Sequence, residues 1–219
     1  MNTSTKCKSI STCLNIFKYN IKILFSLNVI IAGVMILLTP VIFSLKLLDY
    51  MNIATIGELY LSIIGIILIP YMINIESKTN MVEIVYSKRT SQWKIILIRT
   101  FIMMIFMFLC ILGIMCLAKV KGSSFNLWKV TLGIWISANF LGMIGFTVVN
   151  ITNNLSMGYL VSFAYYFIEF FTKGKYTKKL YLFSLTRGGF EKEKYLILLI
   201  TLIIFIVNLA FINKAHSNK

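Results

Sequence analysis

The sequence predicts an all-α integral membrane fold of six transmembrane helices, with an N-terminal interfacial helix before the first and a short helix at the membrane face between the second and third. Three observations predict it. Of 219 residues, 58% are hydrophobic and only 13% charged, well beyond the roughly 45–50% apolar share of soluble domains. Apolar runs recur at bilayer length. Between two of them lies a polar island, residues 76–99, that a soluble protein would have no reason to place there.

A span needs about 20 apolar residues at about 1.5 Å rise each. Six runs qualify: residues 23–44, 56–75, 95–118, 128–150, 155–171 and 195–212. They leave only a leader, short loops, one basic loop and a tail, so one membrane domain over residues 1–219 is expected. The first run follows about 22 polar residues and has no small-x-small site at its end, so it reads as a retained span rather than a cleaved signal. Cys7, Cys13, Cys110 and Cys116 form no Cys-x-x-Cys pair and read as inert thiols.

Residues 8–22 place Ile10, Leu14, Phe17 and Ile21 at helical spacing with Lys18, Asn20 and Lys22 among them, the pattern of an interfacial helix. In the island, Asn80 stands where it can cap a helix whose third residue is Glu83. Met81, Val82, Ile84 and Val85 then form one apolar face. Glu83, Ser87 and Lys88 stay wet, and Lys88-Arg89 near the end complements the helix dipole. Four apolar residues bury little area, so a protein surface is a better seat for this face than lipid.

Gly133, Ser137, Ala138, Gly142 and Gly145 line the fourth run with small residues and allow a neighbouring backbone to approach. The fifth run is rich in aromatics, Tyr159, Phe163, Tyr165, Tyr166, Phe167, Phe170 and Phe171, as in a headgroup-level belt. Residues 172–194 are too polar to span and contain Gly188-Gly189, so short interfacial pieces around a turn are expected there.

The chain carries a formal net charge of +15, which suits lysine-rich loops facing anionic lipid headgroups. Orientation is not fixed by counting, since the 22 Lys and Arg divide evenly between the two sides. The first helix favours an inside N-terminus and, with six spans, an inside C-terminus.

Catalytic parts are lacking. Glu58 and Glu169 fall near expected span ends, where snorkelling to water is the ordinary explanation. His216 is the sole histidine. Zinc chemistry, Ser-His catalysis and carboxylate-pair chemistry have no residue set, and no Gly-x4-Gly-Lys-Ser/Thr loop is present. No catalytic residue, cofactor or metal is assigned. The basic residues are spread over loops and form no nucleic-acid stripe.

Six spans, a leading interfacial helix, a helix between spans two and three, and a polar loop between spans five and six resemble the type 2 family of ABC export permeases. The local likeness lies in Glu76 to Arg99: an acidic residue ending span two, an amphipathic helix carrying Glu83, then Ser87-Lys88-Arg89-Thr90-Ser91-Gln92-Trp93-Lys94-Ile95 entering span three. Family members often carry a proline in the Ser-x-Pro-x-Ser-Arg neighbourhood, where this chain has Arg89 or Thr90.

The resemblance implies that Met81, Val82, Glu83, Ile84, Val85, Ser87, Lys88 and Arg89 form a cytoplasmic coupling helix seated on a separate ABC ATPase. It implies residues 8–22 as an elbow helix, residues 172–194 as external re-entrant pieces, and a second, identical or related permease half. ATP hydrolysis then belongs to the ATPase subunit. An apolar, aromatic route without buried charge suits a hydrophobic or amphipathic substrate, a peptide such as a bacteriocin above all, moved for export or immunity. The Ile/Lys/Asn-rich composition places the chain in a bacterial plasma membrane. The competing reading is a non-transporting immunity or sensor protein that binds a toxin or partner directly.

Overall fold

The computed structural model describes residues 27–73, 92–177, 180–188 and 192–217. These form helices α1 (Leu27–Ile42), α2 (Tyr50–Ile73), α3 (Gln92–Val120), α4 (Leu127–Thr152), α5 (Leu155–Thr172) and α6 (Lys192–Ser217), with one 3-10 turn, Ser184–Arg187, between α5 and α6. The described residues contain no β-strand.

Each helix falls on one of the six expected apolar runs. Four are long and apolar enough to cross a membrane: α2, α3 over Ile96–Val120, α4, and α6 over Glu193–Asn213. The chain is a helical membrane protein. By length and composition α1 and α5 stand apart, because α1 has 16 residues and α5 18, at or below the usual reach of a span. The proposed elbow helix and the coupling helix from Met81 to Arg89 lie outside the described residues.

Helix α4 is the hub, and it packs on α2, α3, α5 and α6. Of its apolar window 72% is buried, against 22% for α6 and 33% for α3, so α4 is wrapped by protein while α3 and α6 turn most of their surface outward. The small residues of α4 cause this. A Cβ on Gly142 would sit 2.6 Å from the Gly65 carbonyl oxygen, and one on Gly145 would sit 3.1 Å from that of Gly158. Backbone therefore meets backbone where α4 crosses α2 and α5, as small-residue stripes allow.

Turn chemistry fixes the connections. Asn153, at φ 54°, ends α4 in the left-handed region, and the Asn154 side chain then caps α5 by accepting from the Ser156 N–H at 3.0 Å. At the other end of α5, Gly174 combines φ 73° with a Cβ position 2.5 Å from the Tyr181 ring, so only glycine fits. The α1–α2 and α3–α4 turns pair: Ser124 N–H donates to the Leu48 carbonyl at 3.3 Å, and Ser123 Oγ links Leu45 and Leu48. These two turns and the segment after α5 thus share one end of the bundle. The Asn153–Asn154 turn and the edges of the island lie at the opposite end.

Candidate functional site

Helix α2 departs from regular geometry where its acidic residue sits. Residues Gly57–Leu61 form a π turn, closed by the Ser62 N–H donating to the Gly57 carbonyl at 3.2 Å. Such single turns widen a helix and recur at functional positions. Gly57 makes room for Ile134, whose Cδ1 would lie 2.0 Å from an added Cβ. The Leu59 carbonyl accepts from the Tyr166 phenol at 2.8 Å, so the irregular turn is tied to α5.

Glu58, within that turn, is fully buried and forms an ion pair with Lys194 of α6, also fully buried. Its carboxylate takes three kinds of donor. Oε1 accepts from the Lys194 ammonium and lies 3.5 Å from Ser137 Oγ of α4, while Oε2 accepts from the Thr186 N–H at 3.2 Å. The ammonium spends all three protons: on Glu58, on Ser137 Oγ at 2.6 Å and on the Leu182 carbonyl at 2.6 Å. A buried pair is tolerated only when its remaining hydrogen-bonding capacity is met in this way.

The chain between α5 and α6 completes the site. Residues Tyr181, Leu182, Phe183, Ser184 and Leu185 are all buried, so residues 180–188 form a strap that dips back among the helices. Its Leu182 N–H donates to Glu169 Oε2 at 3.4 Å, and Thr177 Oγ1 reaches the same oxygen at 3.2 Å. Phe183 stands edge-on to Tyr166 at 5.4 Å and Leu185 fills the space beside Gly133. Tyr181 carries the Arg187 guanidinium over its ring at 4.2 Å, and burial pushes its phenol up from the ordinary value.

Two expectations change. Glu58 and Glu169 do not snorkel; both are fully buried. For Glu58 the reason is a boundary, since α2 begins at Tyr50, six residues before the apolar run, and Glu58 lies two turns inside the helix. Glu169 does lie in the last turn of α5, where the chain that follows folds back over it. Lys194, expected at the end of the interfacial segment 172–194, belongs to α6. The interior accordingly holds ionisable groups, the satisfied Glu58–Lys194 pair and Glu169, whose Oε2 accepts from the strap while its Oε1 has no hydrogen-bond partner. Only Glu58 offered a signal, a carboxylate inside an apolar run and so a functional-site candidate in need of a partner, whereas Lys194 stands in the charged stretch just before the last run.

Ser137, expected only to permit close packing, serves the ion pair. The aromatic α5 divides: Tyr166 faces inward, while Phe167, Phe170 and Phe171 remain exposed as a belt would be. Met81, Val82, Glu83, Ile84, Val85, Ser87, Lys88 and Arg89 lie outside the described residues. No known protein family, curated protein or solved structure matches the chain.

Proposed function

We propose that this chain is the membrane-spanning permease half of an ATP-driven ABC exporter of type 2, working with a separate cytoplasmic ATPase and a second permease half in a bacterial plasma membrane. The observation that carries the reading is the strap: six apolar helices in sequence, with the segment between the fifth and sixth folding back into the bundle at the end opposite the island. In this reading all six helices count as membrane helices, α1 and α5 included, and both termini are cytoplasmic.

The island, residues 76–99, follows α2 in sequence and runs into the start of α3, so a push on it would enter the domain through both helices. Closure of the ATPase pair on nucleotide shifts the membrane halves through its differential affinity for their two states. The outward surfaces of α3 and α6 offer contact to lipid and to the second half. Because the Glu58–Lys194 pair is neutral overall and fully hydrogen-bonded, it presents no net charge to a passing molecule. A hydrophobic or amphipathic peptide remains the substrate class.

The test is substitution at the island. Glu83→Lys and Val85→Asp, each with protein level unchanged, are expected to abolish ATP-dependent export from inverted vesicles together with ATPase binding. Normal assembly and export by both variants would reject the coupling role.

A further inference from the structure

Three ionisable side chains from three helices hold the strap, Glu58 from α2, Glu169 from α5 and Lys194 from α6, and all three are fully buried. They act on its backbone. Leu182 donates its N–H to Glu169 and offers its carbonyl to Lys194, while four residues on Thr186 donates its N–H to Glu58. Each carboxylate thus meets an N–H and the ammonium meets a carbonyl. An ion pair that merely tied α2 to α6 would need opposite charges in either order; here the backbone of the strap dictates which charge stands where.

We propose that the Glu58–Lys194 pair is a polarity-specific lock that fastens the 180–188 strap to α2, so that strap and helix move as one body. Further contacts follow the same line. The first part of α2, Tyr50–Ile56, packs on Ser184–Arg187, and the π turn that carries Glu58 is bonded through Leu59 to Tyr166, which packs on Phe183 of the strap. From Glu58 to Ile73 the helix runs for about 22 Å at 1.5 Å per residue. A displacement at the far end of α2 therefore reaches the strap along the helix, through the charged contact and the packing beside it. The lock is a property of the chain alone and holds whether or not an ATPase drives it.

Exchanging the two charges separates a lock from a simple pair. In Glu58→Lys/Lys194→Glu the ion pair survives, but an ammonium faces the Thr186 N–H and a carboxylate faces the Leu182 carbonyl. The readout is maleimide labelling of Ser184→Cys, a buried strap position whose hydroxyl has no hydrogen-bond partner, in full-length chain with the four native cysteines replaced by serine. The lock predicts that the exchange leaves a folded, monodisperse protein yet speeds labelling at least about tenfold, through local opening of the strap. Labelling as slow as with the native charges would overturn it. Should the exchanged protein fail to fold, amide exchange on the unsubstituted chain decides: the Leu182 and Thr186 amides are expected to exchange at least about tenfold more slowly than that of exposed Tyr176, and equal rates would overturn the proposal.

Discussion

Gly65 of α2 lies against the backbone of Ala138 in α4, so closely that a Cβ on Gly65 would stand 1.9 Å from the Ala138 carbonyl oxygen. Backbone cannot yield as a flexible side chain does. Gly65→Ala is therefore expected to force the helices apart at a cost of about 1–3 kcal/mol, the usual range for overpacking. Gly113 in α3 is the control, with nothing within 4 Å, and Gly113→Ala should be neutral or gain up to about 1 kcal/mol from helix propensity. Thermal unfolding in one detergent compares the two, and equal melting temperatures would show that the α2–α4 crossing is looser than described.

Lys194→Met removes the charge that balances Glu58 and leaves a carboxylate buried beside Ser137. Breaking a buried pair on one side costs about 3–5 kcal/mol. Glu58→Gln combined with Lys194→Met should recover a substantial part of that loss, because no net charge then stays buried. Denaturant melts of the two variants check this, and a double variant no more stable than Lys194→Met would mean that the cost is packing rather than charge.

Much of the fold was legible because a bilayer imposes one dominant rule, an apolar run of fixed length. All six runs became helices, and the glycine and serine stripe of the fourth run correctly marked a close backbone approach. The site was less legible because Tyr50-Met-Asn-Ile-Ala-Thr, with Asn52 and Thr55 breaking its apolar character, extends α2 beyond the run that begins at Ile56 and hides how deep Glu58 lies. Lys194 was obscured in the same way by its setting, Glu191-Lys-Glu-Lys. Pairing the two depends on residues 136 positions apart, which no local pattern encodes.

Sidedness follows from the shared ends. The paired turns near Lys121 and the loop near Lys175 lie at one end of the bundle, and Asn153 lies at the other. Lys121→Cys and Lys175→Cys in a cysteine-free chain should label from the same side with an impermeant reagent, and Asn153→Cys from the opposite side. In the transport reading the lysine side is external. Asn153 labelling from the same side as Lys121 would contradict the helix order across the membrane.

At the lysine end, Lys46, Lys121, Lys129, Lys173 and Lys175 are exposed. Near an anionic surface each contributes about 1 kcal/mol of attraction, less at high salt. Glutamine at Lys173, Lys175, Lys178 and Lys179 should weaken retention of anionic phospholipid by the purified protein and flatten its salt dependence, with substrate preference unchanged. A selective loss of export for acidic peptides would instead assign these lysines to substrate exit.

In the proposed function an ABC ATPase seated on residues 81–89 drives this chain. Purifying the tagged chain from its native membranes and identifying what accompanies it by mass spectrometry tests the claim most directly. The account predicts a soluble ATPase with the Gly-x4-Gly-Lys-Ser/Thr phosphate loop, retained by the unsubstituted chain and lost with Val85→Asp. Recovery of the chain without any such ATPase under conditions that keep other membrane complexes intact, or retention that is indifferent to Val85→Asp, would contradict it and favour a non-transporting role.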